Sequence, residues 1–309
     1  MKKNILLVIG LFVMLLVMVA PVSAAEYGGL GLYPAYPDPQ NPLSEAYFIY
    51  NLVSAEEKND VVVIRNTSNT SLAAKIYAVD GTTTADGSFT LEGANKEKKG
   101  LGKWITLPIS EITVGPGEEK RVDFSIKIPV DASVGDHTGG IILENLDVQK
   151  GKGVNVVTRV GVRIYETVPG QLIRKMKITE FSWKMVNDKV VFYFGLENQG
   201  NTMLNPNGKL SYENSFGGKG EFVLNLGTVL QDKPTKVPVT WDKTPLIGQV
   251  KAKAVVNFGE GANDKLEREI SFFYITKKAK VIALVIVLVL AVLVVLPSLR
   301  GKKGKKGKH

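Results

Sequence analysis

The chain has 309 residues, 44% of them hydrophobic, and a formal charge of +9 from 39 basic and 30 acidic side chains. The flanks of two apolar segments hold Lys2, Lys3, Lys277, Lys278, Lys280, Arg300, Lys302, Lys303, Lys305, Lys306 and Lys308 and no acid, so residues 25–276 sum to −2. That balance excludes a nucleic-acid partner recognised through bulk charge, and zero cysteines exclude disulfide staples, thiolate metal sites and a cysteine nucleophile.

In chain order, Lys2 and Lys3 precede the apolar run Ile5–Ala20, which leads into Pro21-Val22-Ser23-Ala24. This pattern predicts a secretory signal over residues 1–24, cut between Ala24 and Ala25. Beyond it the dominant signal is period-two alternation punctuated by Gly, Asn, Asp and Pro. Asp60–Arg65 is a β-branched run that stops at Asn66. Ser71–Val79 alternates into Asp80-Gly81, a predicted turn, and Ala85–Gly102 looks like a polar insertion. Ile112–Val114 meets Gly115-Pro116-Gly117. Val122, Phe124, Ile126 and Ile128 then fall on one face, with Arg121, Asp123, Ser125 and Lys127 on the other, as in a half-buried strand. Gly135–Gly140 reads as a loop entering a strand at Gly139–Leu143, and Val154–Tyr165 closes the first block.

Val168-Pro169-Gly170 marks a break. Seven short strands are predicted beyond it: Lys177–Trp183, Val190–Glu197, Gly208–Tyr212, Glu221–Leu226, Val237–Trp241, Val250–Phe258 and Leu266–Ile275. Short strands at near-regular spacing are the pattern of an immunoglobulin-like sandwich. Trp183 and Trp241 alternate with polar neighbours and are expected in packing. Val281–Leu296 then contains only Val, Ile, Leu and Ala. It is slightly short for a span of about 20 residues, but the flanking lysines can snorkel to the interface. The expectation is therefore an all-β chain of two tandem immunoglobulin-like β-sandwiches, residues 25–168 and 169–276. A signal peptide precedes them. One C-terminal transmembrane helix follows at 277–299, with a basic cytoplasmic tail at 300–309 placed inside by its positive charge and resting on anionic lipid.

One internal echo stands out. The strands ending at Asn66 and Asn198 are each followed, three residues later, by an Asn-Thr pair, Asn69-Thr70 and Asn201-Thr202. Turn chemistry alone can generate such a pattern.

A search for catalytic motifs finds no G-x-S-x-G elbow, S-x-x-K pair, H-E-x-x-H, P-loop or dinucleotide fingerprint. His137 has no nucleophile nearby in sequence. The acid pairs Asp131 with Asp136 and Glu260 with Asp264 lack the dense spacing of a calcium loop. Lys96, Lys98, Lys99 and Lys103 form a basic patch near Trp104, interleaved with Glu92 and Glu97, whose alternatives are a solvated loop or a contact with an anionic wall polymer.

Several segments together resemble a known family. They include Pro37-Asp38-Pro39-Gln40-Asn41-Pro42 before Tyr47-Phe48, the strand Val61–Asn66, and Thr82-Thr83-Thr84-Ala85-Asp86-Gly87. Trp104-Ile105, Val114–Gly117, Ile128-Pro129 and Gly135-Asp136-His137-Thr138-Gly139-Gly140-Ile141 follow, and Leu196–Asn201 with Pro206-Asn207-Gly208 lies in the second block. In this order and spacing the chain resembles the WxL-interacting proteins of Gram-positive bacteria. It departs from them where Pro-Gln-Asn-Pro replaces the more usual Pro-x-Asn-Gln order. The resemblance implies a non-enzymatic surface protein without cofactors, whose first domain binds peptidoglycan and whose second contacts surface-protein partners. The loops carrying the family pattern make Asp38, Gln40, Asn41 and His137 the candidate ligand-binding residues. The alternative for both loops is conformational, since proline fixes backbone angles and glycine permits positive φ. A different function class is an exported immunoglobulin-fold chaperone that captures partner strands at a sheet edge.

Overall fold

The computed structural model describes residues 25–27, 29–146, 149–151, 154–216, 218–261 and 263–301, with side chains over 29–146, 157–216, 218–261 and 263–294. The expected signal peptide and most of the basic tail lie outside the described residues. The chain is all-β apart from short turns of helix and a C-terminal helix. It divides into two compact units, one comprising residues up to 82 with 90–172, the other residues 83–89 with 173 onward.

The first block contributes β1 (Ala25–Tyr27), β2 (Leu30–Pro34), β3 (Tyr47–Tyr50), β4 (Glu57–Asn66), β5 (Leu72–Thr83) and β6 (Phe89–Leu91). After the short helix α1 (Leu101–Trp104) come β7 (Ile105–Thr106), β8 (Glu111–Val114), β9 (Glu119–Lys127) and β10 (Gly135–Asn145). The small hairpin β11 (Gln149–Gly151) and β12 (Val154–Val156) precedes β13 (Arg159–Val168). One sheet runs β1-β2-β4-β9-β7 and the other β3-β13-β10-β5-β6, with β8 also on β5. All described pairings in this unit are antiparallel except β13 on β3. Alternation does the work foreseen from the sequence. Val122, Phe124 and Ile126 from the first sheet meet Ile141, Leu143, Val162 and Ile164 from the second in one buried cluster, the non-directional term that holds two sheets face to face.

Two local expectations are corrected. Asp80-Gly81 is not a turn but lies within β5, where Asp80 pairs with Gly139 of β10. Gly135–Gly140 is not a loop but the opening of β10, paired with β13 from Gly135↔Val168 onward, so that His137 lies opposite Glu166. In both cases cross-strand hydrogen bonding holds residues extended that taken alone favour turns. The polar insertion acquires structure as well, since it contains β6 and the start of α1.

The second unit holds β14 (Met176–Val186), β15 (Lys189–Asn198), β16 (Asn207–Asn214), β17 (Gly218–Asn225), β18 (Thr235–Trp241), β19 (Ile247–Asn257) and β20 (Lys265–Ile275). They form the sheets β14-β15-β18 and β17-β16-β19-β20 around a core rich in aromatic rings. Phe192, Phe194 and Trp241 are buried in it, and Trp183 stacks on Phe272 with ring centroids 4.3 Å apart. Residues 83–89 join this unit from within the first block. The Gly87 carbonyl accepts the Thr228 N–H at 2.8 Å, and a Cβ on Gly87 would lie 2.8 Å from Val237 Cγ2 at a φ of +84°, so glycine alone fits there. A simple division of the chain at residue 168 misses this segment.

The echoed asparagines perform the same task in each unit. Asn66 Nδ2 donates to the carbonyls of Thr70 at 2.7 Å and Val114 at 2.9 Å, and its Oδ1 accepts the Ser68 N–H at 2.9 Å. Asn198 Nδ2 donates to Thr202 O at 2.6 Å and Val229 O at 3.1 Å, and its Oδ1 accepts the Gly200 N–H at 3.0 Å. Offsets of two and four residues recur in both, together with a bond to a more distant segment. A buried amide thus satisfies backbone groups where a strand ends and its ladder stops.

The C-terminal helix α2 (Lys277–Gly301) has 25 residues. Asp188, in the turn between β14 and β15, receives the Lys277 N–H at 2.6 Å and the Lys278 N–H at 3.3 Å, satisfying N–H groups that have no partner inside a helix. The first turn carries Lys277, Lys278 and Lys280, and among the described residues no helix is long and apolar enough to cross a membrane.

Candidate ligand-binding site

The site is built around α1. Its N-cap, Gly100, has no side chain to satisfy the first N–H groups, and Asp80 supplies the missing acceptor from β5. The Asp80 carboxylate accepts N–H bonds from Lys99 at 2.6 Å, Gly100 at 3.0 Å and Gly102 at 2.7 Å, an anion at a helix start where both the free donors and the local dipole favour it. Gly102 lets the helix touch the sheet, because a Cβ there would stand 2.4 Å from the Val79 carbonyl carbon. Leu101 plugs the core completely. Pinned in this way, α1 sets Trp104 partly buried at the edge of the core and against His137 of β10, with ring centroids 4.5 Å apart and planes inclined at 52°.

Trp104 and His137 line a concavity of roughly 710 Å³ whose walls include Lys99, Lys103, Lys127 and Asp131. Val130, 82% exposed, stands at its rim. The His137 Nε2 lies 2.8 Å from the Ser133 carbonyl oxygen. A carbonyl can only accept, so in the neutral ring Nε2 carries the proton and Nδ1 is the acceptor. An aromatic face, a ring nitrogen and flexible cations in one hollow suit a ligand with apolar ring faces, hydroxyl or amide groups, and carboxylates. Among the described residues no group of three His, Cys, Asp or Glu side chains could hold a metal ion.

A second hollow, of roughly 570 Å³, is lined by Tyr36, Lys58, Asp60 and Asp123 and shares Thr106 with the first. Arg121 lies over the Tyr36 ring at 5.5 Å and donates to its hydroxyl at 3.2 Å. The proline segment begins immediately after Tyr36. There Asp38 Oδ1 accepts the Gln40 N–H at 2.9 Å, and Asn41 Oδ1 accepts the Leu43 N–H at 3.2 Å to cap a short 3-10 helix, Pro42–Glu45. Asp38 and Asn41 are thus engaged in shaping the loop, Gln40 is exposed, and none of the three lines the Trp104 concavity. Of the sequence candidates, the structure brings His137 alone to it. Asp80 was not legible as a site residue, because only the fold carries it beneath residues 99–102. The lysine patch beside Trp104 was the one signal that pointed here.

Glu166, the register partner of His137, is 1% exposed. Its Oε1 accepts the Leu52 N–H at 2.8 Å, while Oε2 has no hydrogen-bond partner. Burial pushes its carboxyl up to about 7, opposed by the Leu52 bond and aided by the charge of Glu56. The folded state therefore holds this proton more tightly than the unfolded chain. The associated stability is complete below the ordinary carboxylate pKa and is lost as pH rises through about 7. Glu166→Gln should leave the melting temperature near wild type at pH 5 and raise it at pH 8, where the buried carboxyl ionises and the amide cannot, a gain in stability on the order of 1–3 kcal/mol. Parallel melting-temperature profiles for the two proteins across that range would refute this assignment.

The family described as "WxL Interacting Protein, peptidoglycan binding domain" matches residues 32–145, a segment that holds Asp80, Trp104 and His137. Over this segment the chain is similar to the WxL-interacting proteins. No curated protein matches it by sequence. Among solved structures, the chain is similar to one from a chaperone–tip adhesin complex of CFA/I fimbriae, with 9% identity over 78% of this chain and 97% of that one, at a TM-score of 0.39. It is also similar to the class 5 fimbriae chaperone CfaA, with 11% identity over 78% and 98% of the chains and a TM-score of 0.36. A third similar structure is the CsuC–CsuE pre-assembly complex from Csu pili of Acinetobacter baumannii, with 14% identity over 72% and 94% and a TM-score of 0.35.

Proposed function

We propose that this protein is a non-catalytic cell-surface binding protein whose first unit holds peptidoglycan in the Trp104–His137 concavity. The observation that carries the reading is the partly buried Trp104 ring, packed on the core at one side and set against His137 at the other, in a hollow bordered by Lys99, Lys103 and Lys127, within the segment that matches a peptidoglycan-binding family. The aromatic face stacks on the apolar face of a sugar ring. His137 Nδ1 accepts from a hydroxyl or acetamido group, and the lysines meet carboxylates of the peptide stem. The second unit contacts surface-protein partners. The chain is exported by residues 1–24 and held in the cell membrane by α2, with its basic tail in the cytoplasm against anionic lipid. The uninterrupted apolar run Val281–Leu296 supports the anchor, since its described side chains are exposed on every face and find no protein partner to cover them.

Co-sedimentation of the protein with purified insoluble peptidoglycan tests the site. Trp104→Ala should lower the bound fraction about ten-fold, the loss of roughly 1.4 kcal/mol. His137→Ala and Lys103→Glu should lower it less, both with a melting temperature close to wild type, whereas Trp104→Phe, which keeps a ring against the core, should retain more binding than Trp104→Ala. Asp38→Ala, Gln40→Ala and Asn41→Ala form the contrasting set. Binding that survives Trp104→Ala but is lost in that set would move the site to the proline segment.

The chaperone reading has one observation behind it. Strand β9 pairs with β4 along its length but with β7 only at Ser125 and Ile126, so Glu119–Phe124 form an open edge. Lys120, Arg121 and Asp123 lie along it, and charges of this kind protect an edge from added strands. The surface-binding reading is therefore preferred.

A further inference from the structure

The end of the second unit from which α2 departs carries apolar side chains where turns are normally polar. Three turns gather there. The β14–β15 turn supplies Asp188 to the first N–H groups of α2. The segment before β19 binds the start of the helix, because the Leu246 carbonyl accepts both the N–H and the hydroxyl of Thr276 at 2.9 Å. The β16–β17 turn is tied to the same level of the sheet, with Asn214 Nδ2 on the Ile247 carbonyl at 3.3 Å and the Phe216 N–H on Asn214 Oδ1 at 3.1 Å. Each turn presents an apolar side chain to solvent: Val186, Phe216 at 58% and Leu246 at 47%. Phe273 and Ile275, exposed on the last strand, extend the same surface.

Isolated exposed hydrophobics are ordinary, but a group at one end of a domain, continuous with an exposed apolar helix, is not. Charge at this end is net positive, with Asp188 and Asp242 against Lys189, Lys243, Lys277, Lys278 and Lys280. The acids are engaged, Asp188 as the helix cap and Asp242 in a 2.6 Å pair with Lys189, which leaves Lys243, Lys277, Lys278 and Lys280 in excess. Apolar tips ringed by lysine match the boundary between anionic headgroups and acyl chains. We propose that this end of the second unit docks on the bilayer, with Phe216 and Leu246 inserted at the interface and the lysines against anionic lipid. The surface then holds the unit upright over the lipid instead of leaving it to swing on the helix.

This inference rests on the reading of α2 as a membrane anchor, and the test separates the two. The chain contains no cysteine, so Phe216→Cys, Leu246→Cys, Val223→Cys and Leu288→Cys each create a single labelling position in the full chain. Each variant is labelled with an environment-sensitive fluorophore and reconstituted into vesicles of phosphatidylcholine with phosphatidylglycerol. Labels at 216 and 246 should be at least two-fold brighter than the label at 223, a strand position far from this end, and should be quenched by a lipid-borne quencher. Their signal should fall in vesicles of phosphatidylcholine alone. Labels at 216 and 246 as wet as that at 223, with 288 buried in lipid, would overturn the docking and leave the anchor standing. A water-exposed label at 288 would overturn both.

Discussion

Val285→Asp, Val289→Asp and Val292→Asp, introduced together, should release the protein from membranes into the soluble fraction. All three positions lie in the uninterrupted apolar stretch of α2. At 1.5 Å per residue, Val281–Leu296 covers roughly 24 Å, somewhat less than a hydrocarbon core of about 30 Å. The lysines before it and the basic residues after it can extend toward the headgroups, so the margin for further loss is small. Each aspartate near the helix centre costs about 3 kcal/mol on insertion scales, and three of them exceed what the remaining apolar residues supply. The measurement is fractionation of cells with high-salt and carbonate washes. The wild-type chain should stay with the membrane through both, and the triple variant should not. A wild-type chain that washes off in carbonate would mean that α2 does not anchor it.

Asn66→Ala should destabilise the first unit by roughly 2–3 kcal/mol, a drop in melting temperature on the order of 5–10 °C. Asn66 is fully buried. Its removal leaves the Ser68 N–H without its acceptor and takes one donor each from the carbonyls of Thr70 and Val114, each bond worth about 1 kcal/mol. Asn66→Asp should be worse, because a carboxylate cannot donate and would face two carbonyl oxygens. Asn198→Ala should weaken the second unit to a similar degree, since the Thr202 carbonyl and the Gly200 N–H lose a partner and the Val229 carbonyl keeps only the Leu204 N–H. Denaturant melts of the single variants decide the matter. A shift of only one or two degrees would show that water replaces the amide at little cost.

These asparagines also show what an echo in sequence can conceal. Strand, Asn, and an Asn-Thr pair three residues on is a pattern that turns produce by chance. Its repetition as one hydrogen-bond arrangement in both units is visible only when the distant carbonyls, Val114 and Val229, are in place. Trp104 and His137 present the same contrast. The first was seen beside a lysine patch and the second in a glycine-rich segment, and nothing along the chain joined them. Gly102 and Gly139 join them, by allowing α1 to lie against β5 and β10.

Where the sequence was sufficient, the deciding forces were local. Alternation with period two follows from the geometry of a strand with one face buried, so β4, β9 and the strands from β14 to β20 could be read directly. The apolar run of α2 and the net charge of −2 over residues 25–276 needed no fold to be seen. Other features depended on tertiary structure. Asp80-Gly81 is a turn by composition and a strand in fact, because Gly139 pairs with it and three N–H groups claim its carboxylate. Gly135–Gly140 is likewise held extended by β13. Residues 83–89 left the first unit for the second because Gly87 fits against Val237 and Thr228 there. Local preference amounts to about 1 kcal/mol per residue. Several hydrogen bonds and a packed glycine outweigh it, and neither can be counted until the partners from distant parts of the chain have met.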